Sequence, residues 1–359
     1  MANTSGVVPE MFTAPSLTTM LNSNNSEDFD VPRQYTPVVQ YSTLVVGIPV
    51  TTIGFFGNLI TIFVVARTPV LRTPTNLFII SLSVSDLLYC SIVLPVLLTT
   101  FYNNAWVFGA TFCQIHPLFM FTFVGATIMS LAGTAFGRYL KITQSSLYSK
   151  LFTVKRRAAM MVVVCWLLPM IVLLPPITGV WGSLGYEPKT LTCTFLRGGS
   201  NSGYSMFFMV SALIVPTTFI TFCYVRILQT VCKNHKRVHR MRVVPGDDLS
   251  LNGPSTGTTA NSKSKRQQRK IYREDIQYTK MMLCIFLVFI SCYVPYMLAT
   301  LLDPQVKNMT FHFYSGMCVW FSSCLNPIVY VAMNRHFRQA CARFLPAKFH
   351  GDEVTEIVG

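Results

Sequence analysis

Seven long apolar stretches alternate with short polar segments along the 359-residue chain, at about 41–66, 75–102, 111–141, 158–180, 204–230, 277–302 and 310–333. A bilayer's hydrocarbon core is about 30 Å thick and a helix rises about 1.5 Å per residue, so roughly 20 apolar residues cross it. The pattern predicts an all-α membrane protein: a seven-transmembrane-helix bundle over 41–333, preceded by an extracellular tail over 1–40. A short amphipathic eighth helix and a cytoplasmic tail are expected over 334–359. Prolines at 49, 95, 169, 216, 295 and 327 fall inside these stretches, and Pro175 and Pro176 fall near the end of the fourth. In water they would argue against helices. In lipid, neighbouring helices re-satisfy the freed carbonyls, so kinked helices persist.

Composition agrees. Charged residues make up 12% of the chain and hydrophobic ones 51%, whereas soluble domains carry about 25% charged residues. A cytosolic enzyme is therefore disfavoured. The net charge of +15, taken alone, suggests nucleic-acid binding. With the N-terminus outside, however, only Arg33, Lys189, Arg197 and Lys307 of the 29 lysines and arginines lie on the outer side. Such asymmetry is the positive-inside signal, so the basic excess reports topology and no nucleic-acid partner is expected. The inner excess suits anionic membrane lipid and an acidic partner surface.

The first 40 residues lack a basic–apolar–small cleavage pattern, so the first span is expected to act as signal anchor. Glycosylation sequons begin at Asn3 and Asn24 on the outer side, with a third at Asn308 close to the membrane. The stretch 231–274, rich in Lys, Arg, Ser, Thr, Gly and Gln, reads as a flexible cytoplasmic loop.

Polar groups inside a span are costly and call for a reason. Asp86 is the one carboxylate near mid-membrane. With Asn58, Thr127, Ser322, Ser323 and Asn326 it is expected to form an oxygen cage between helices. Such a cage suits a hydrated sodium ion, a proton-linked switch or a hydrogen-bonded packing node. Cys113 and Cys193 both face the oxidising outer compartment, so a disulfide pinning the loop over the bundle is expected. Cys341, just beyond the last span, is a candidate for palmitoylation. The His and Cys residues lack zinc spacing, and no nucleophile–base set faces one compartment, so an enzyme reading has no support and no cofactor is expected beyond the sodium ion.

These motifs resemble those of the rhodopsin-like G-protein-coupled receptors over residues 40–345. The carriers are Gly57 and Asn58; Leu82 through Asp86; Cys113; Gly137, Arg138 and Tyr139; Trp166; Pro216 and Tyr224; Cys292, Tyr293 and Pro295; and Asn326, Pro327 and Tyr330, followed by Asn334 to Phe337. The resemblance implies a receptor that transduces an extracellular ligand signal to a heterotrimeric G protein. In it, Arg138 would be held by Asp275 of the sixth span when the receptor is off, and release would let that span swing outward. Tyr224 and Tyr330 would then turn inward, with Phe289 and Tyr293 relaying ligand contact. Two departures stand out: Gly137 replaces the usual acid before the arginine, which would permit elevated basal signalling, and Tyr293 replaces the usual tryptophan. A narrower likeness is to the medium-chain fatty acid receptor, with melatonin receptors and the insect receptor Moody as wider relatives. It implies an inhibitory-class G protein, with arrestin as a further partner.

The outer half of the third span carries Met120 where amine receptors place an acid, which disfavours an amine ligand. The seventh carries Trp320 where an opsin places its lysine. The expected pocket walls are Tyr102, Met120, Phe123, Phe207, Phe208, Tyr293, Tyr296 and Trp320. Arg197, near the mouth, pairs with that apolar cavity to suggest an amphipathic anion such as a medium-chain fatty acid. His116 is expected to be a satisfied interfacial group. The alternatives are an indole- or peptide-sensing receptor of the same class, or a seven-helix transporter or channel. The latter would string several ionisable groups across the membrane.

Overall fold

The computed structural model describes residues 35–152, 154–196, 202–243 and 258–344. Helices α1 Pro37–Arg67, α2 Pro74–Asn103, α3 Gly109–Thr143, α4 Lys155–Val172, α5 Gly203–Lys233, α6 Arg273–Leu302 and α7 Met309–Met333 form the bundle, and α8 Arg335–Phe344 follows. Six are long and apolar enough to cross a membrane. The other, α4, is the shortest of the seven and opens with Lys155, Arg156 and Arg157. It ends before the expected 180: the helix breaks at Leu173, and a separate turn, Leu174–Thr178, carries Pro175 and Pro176. Pro175 and Pro176 have no N–H to continue the ladder, which accounts for the break.

The prolines shape α2 and α5 in the same way. In each, a five-residue π stretch, Tyr89–Val93 or Val210–Ile214, immediately precedes the turn that carries Pro95 or Pro216. The wider turn absorbs the clash between the pyrrolidine ring and the preceding carbonyl. A further interior proline, Pro117, lies in α3. Within the stretch 231–274, expected as a flexible loop, the described backbone is helical to Val243 and again from Thr258, and residues 244–257 lie outside the described residues. Its Lys, Arg and Gln residues favour helix.

Side chains fix helix ends. The Asn308 Oδ1 accepts from the Phe311 amide at 3.0 Å and opens α7, so the third sequon's asparagine serves as a helix cap. The Asn334 Oδ1 accepts from the Phe337 amide at 3.1 Å at the start of α8. There Phe337 and Ala340 turn into the bundle's core cluster while arginines occupy positions 335, 338 and 343.

Within lipid, close backbone approach drives helix association. Gly125 of α3 shows it: a Cβ there would lie 2.5 Å from the Pro169 ring of α4. Between α4 and α5 the chain forms a hairpin, β1 Leu184–Glu187 and β2 Thr192–Phe195, paired antiparallel with Tyr186 opposite Cys193.

Replacing Gly125 with Leu forces α3 and α4 apart, and overpacking costs about 1–3 kcal/mol. A Gly125→Leu chain in detergent is expected to melt several degrees lower than wild type. Gly316→Ala, inside α7 where a Cβ meets nothing within 4 Å, should hold or raise the melting temperature, since alanine favours helix over glycine.

Candidate functional site

Three layers of the bundle gather the chemistry. The first is the face that bears the disulfide. Cys113 at the start of α3 and Cys193 of β2 are bonded, which lays the hairpin across the helix ends. Leu191, just before β2, is 1% exposed with a left-handed φ of 49°. It packs into one apolar cluster with Tyr35, Tyr89, Phe101, Phe123, Phe313 and Trp320. The Tyr35 hydroxyl donates to the Lys189 carbonyl at 2.8 Å, and the Lys189 ammonium donates to the Gln305 carbonyl at 3.0 Å. Burial, with Tyr186 beside it, pushes the Tyr35 hydroxyl above its ordinary range, so it stays a donor at neutral pH. The Asn308 and Lys307 amides hold the Asp303 carboxyl below the usual carboxylate value, which fixes the α6–α7 turn.

Of the expected pocket walls, Met120, Phe123 and Trp320 share the cluster beneath Leu191. Tyr293 lies in a second cluster closer to the opposite face, stacked on Phe289 at 4.2 Å. Phe208 packs instead with Phe121 and Phe195 under the hairpin. Tyr102, Phe207 and Tyr296 lie on exposed surface of the bundle, and the Tyr102 carbonyl accepts from Gln40. Arg197, Asn3 and Asn24 lie outside the described residues. His116 is fully buried against Trp106 and Phe112, with the Val93 backbone of α2 as its hydrogen-bond partner. Tyr35 and Leu191 were not legible as site residues, because neither carries a motif and both act through long-range packing.

The second layer is the polar centre. The Asp86 Oδ2 accepts from Asn326 Nδ2 at 2.7 Å and its Oδ1 from Thr127 Oγ1 at 3.1 Å. Ser85, absent from the expected cage, bonds Thr127 at 2.8 Å. Asn58 sits one step away, donating to the carbonyls of Ser323 and Gly54 at 2.8 Å. The Ser322 hydroxyl returns to the Val319 carbonyl of its own helix. The expected cage therefore contracts to Asp86, Thr127 and Asn326. Ser323 contributes a carbonyl to Asn58, and Ser322 points back along α7. Among the described residues no group of three or more His, Cys, Asp or Glu could hold a metal ion.

The third layer is the basic face, where α3 meets α6. The Arg138 guanidinium, 6% exposed, lies 3.6 Å from Asp275 Oδ1, and the same oxygen accepts from Lys141 Nζ. The Tyr278 ring lies under the guanidinium, 3.7 Å from its carbon. Tyr224 packs on Phe286 and Tyr330 on Phe337, and the Tyr330 hydroxyl is buried without a partner. Tyr139 turns away and packs against Phe222. Pro327 of α7 fits against Gly57 of α1, where a Cβ would come within 2.9 Å of its ring.

Seven helices, a loop tied to α3 and an α3 arginine held against α6 together define a multi-pass membrane receptor fold. The chain belongs to the rhodopsin family of seven transmembrane receptors, whose family model, "7 transmembrane receptor (rhodopsin family)", matches residues 57–330. It is similar to Protein trapped in endoderm-1 of Drosophila melanogaster, 34% identical over 314 residues, covering 85% of this chain and 77% of that one. It is also similar to the G-protein coupled receptor moody of Drosophila pseudoobscura pseudoobscura, 29% identical over 338 residues, covering 80% of this chain and 50% of the relative. The chain thus spans about half of moody's length. Among solved structures, the crystal structure of squid rhodopsin superposes with a TM-score of 0.74 at 24% identity, covering 90% of this chain and 91% of that one, a likeness of fold.

Thr127→Val keeps the side chain's shape and removes the hydroxyl that joins Ser85 to Asp86. Leaving buried polar groups unpaired costs about 1–3 kcal/mol, so this variant is expected to melt lower than wild type, and Thr127→Ser should recover most of the difference.

Proposed function

We propose that the chain is a plasma-membrane receptor, N-terminus outside, that carries the arrival of an extracellular ligand to a heterotrimeric G protein. One observation carries this reading: α3 and α6 are held together at the basic face by the buried Arg138 against Asp275 and Tyr278, with Lys141 of α3 on the same carboxylate. Parting that contact frees a guanidinium and opens a cleft rimmed with positive charge, a surface suited to a partner with acidic groups. Signalling then needs no chemistry. A ligand that binds the open arrangement better than the closed one shifts the population between them.

Within this reading α6 is the moving part, with Pro295 as its kink. Phe289 and Tyr293, stacked above the basic face, pass ligand contact downward, and Tyr224 and Tyr330 turn toward Arg138 once α6 has moved. The rhodopsin-family match and the likeness to a G-protein coupled receptor support the assignment. The G protein is of the inhibitory class, and arrestin binds the same opened face.

The ligand in this reading is an amphipathic anion of the medium-chain fatty acid kind. Its chain lies among Met120, Phe123 and Trp320, and its carboxylate meets Arg197. The apolar cluster beneath Leu191 supports the tail's position. A sodium ion in this reading binds the Asp86 carboxylate and the Thr127 hydroxyl, where it neutralises a buried negative charge. Asn3 and Asn24 carry glycans on the outer side.

Arg138→Ala is expected to abolish ligand-driven G-protein activation while surface expression persists. Retained activation would overturn the mechanism. Arg197→Ala should shift fatty-acid concentration–response curves rightward by about tenfold, as loss of a charge-assisted hydrogen bond predicts. An unshifted curve would remove Arg197 as the anchor.

A further inference from the structure

The residue before Arg138 is Gly137, in tight surroundings. A Cβ on Gly137 would lie 3.2 and 3.4 Å from two Phe152 ring atoms and 3.3 Å from Thr75 Cγ2. Phe152 closes the short helix Ser145–Phe152, is fully buried, and stacks on Tyr148 and against Phe78. A side chain at 137 would require this aromatic wedge or Thr75 to give by a few tenths of an ångström. With glycine at 137, Arg138 has no carboxylate from its own helix.

The remaining acid, Asp275, is a divided partner. At 3.6 Å it lies beyond the usual hydrogen-bond length from Arg138. It accepts a hydrogen bond from Lys141, and it is 21% exposed. Lys141 also belongs to α3, so Asp275 does tie α6 to α3, but through a part-solvated ion pair, a kind that holds weakly. Arg138 Nε is itself buried without a partner.

Tyr278 is placed differently. Its ring faces the Arg138 guanidinium at 3.7 Å, well inside the range in which a cation and an aromatic face attract, and the attraction strengthens where water is excluded. Its hydroxyl donates to Asn76 Oδ1 at 2.9 Å, and Asn76 Nδ2 donates to the Leu71 carbonyl at 2.8 Å. The ring is thus fixed in angle by the start of α2. One residue of α6 touches the key cation of α3 and is braced by α2.

We infer that Tyr278 is the main latch holding α6 against α3 in the closed receptor, taking over the task that the acid at position 137 and an undivided Asp275 would otherwise share. Tyr278 acts through Arg138 and is a positioning residue. The inference rests on the proposed α6 switch and deepens it. Because the ring face does the holding, an aromatic substitute keeps the latch and a flexible apolar side chain of similar bulk releases it. A desolvated cation–π contact shifts a two-state equilibrium by about one order of magnitude.

The test uses the full chain in lipid nanodiscs with a trifluoromethyl probe on Arg273→Cys, read by fluorine resonance as closed and open populations of α6 without any G protein. Agonist-independent nucleotide exchange on purified G proteins of each class is measured alongside. Tyr278→Met is expected to raise the open population and basal exchange by about tenfold. Tyr278→Phe, which keeps the ring face and loses the hydroxyl's bond to Asn76, should move both readouts clearly less than Tyr278→Met does, and so should Asp275→Asn. Equal effects of Tyr278→Phe and Tyr278→Met, or a larger effect of Asp275→Asn, would overturn the latch. Should Tyr278→Met fail to fold, Tyr278→Gln takes its place with the same expected rise. Open populations that rise while no G protein responds would leave the latch standing and remove the coupling reading. Exchange that depends on Arg138 while Tyr278→Met changes neither readout would do the reverse.

Discussion

The basic end of the bundle is organised around one buried charge. Arg138 sits where α3 meets α6, almost closed off from solvent, and a lone cation in such a place is costly. The surrounding structure compensates piecemeal: an aromatic face from Tyr278, a shared carboxylate from Asp275, and a wedge of Phe152 and Tyr148 that seals the space below. None of these matches the cation fully, as the unpartnered Nε shows. A site that is closed but incompletely satisfied suits a switch, because the open state can offer the same cation other partners at little net cost.

The opposite face is built from different materials. There, apolar packing under Leu191 and a chain of hydrogen bonds from Tyr35 through Lys189 to Gln305 join the start of α1, the hairpin and the α6–α7 turn. Between the two faces, Asp86 binds α2 to α3 and α7 through Thr127 and Asn326. Helix α6 connects the layers. Its upper end is tied to the α6–α7 turn, its middle carries Phe289 and Tyr293, and its lower end carries Asp275 and Tyr278. A displacement at one end is thus felt along a helix whose neighbours have discrete packing arrangements.

Much of this was legible in the chain. Hydrophobic run length gave the number of helices, and their ends agree within a few residues except for α4, where Pro175 and Pro176 cut the helix short, and for α5 and α6, whose helical backbone runs on past the apolar stretch to Val243 and back to Thr258. Position relative to the membrane sufficed for Cys113 and Cys193, and motif order for Arg138, Asp275 and the Asp86–Asn326 contact. What escaped depends on contacts far apart in sequence. Tyr278 lies three residues from Asp275 and carries no motif, yet its partners come from α3 and α2. Phe152 and the hairpin are short elements held by tertiary packing, which local pattern does not register. The aromatic pocket list divided because helix-face assignment from sequence alone does not separate inward rings such as Phe123 from outward ones such as Tyr102.

The central claim is that the contact between α3 and α6 at the basic face parts when a G protein binds. Pulsed electron resonance measures it most directly, with spin labels on Leu147→Cys and Arg273→Cys in a chain whose exposed Cys232 is replaced by Ser. The account predicts one short distance in the free receptor and a second, longer population when a nucleotide-free inhibitory-class G protein is added. An unchanged distance distribution with the G protein demonstrably bound would contradict it.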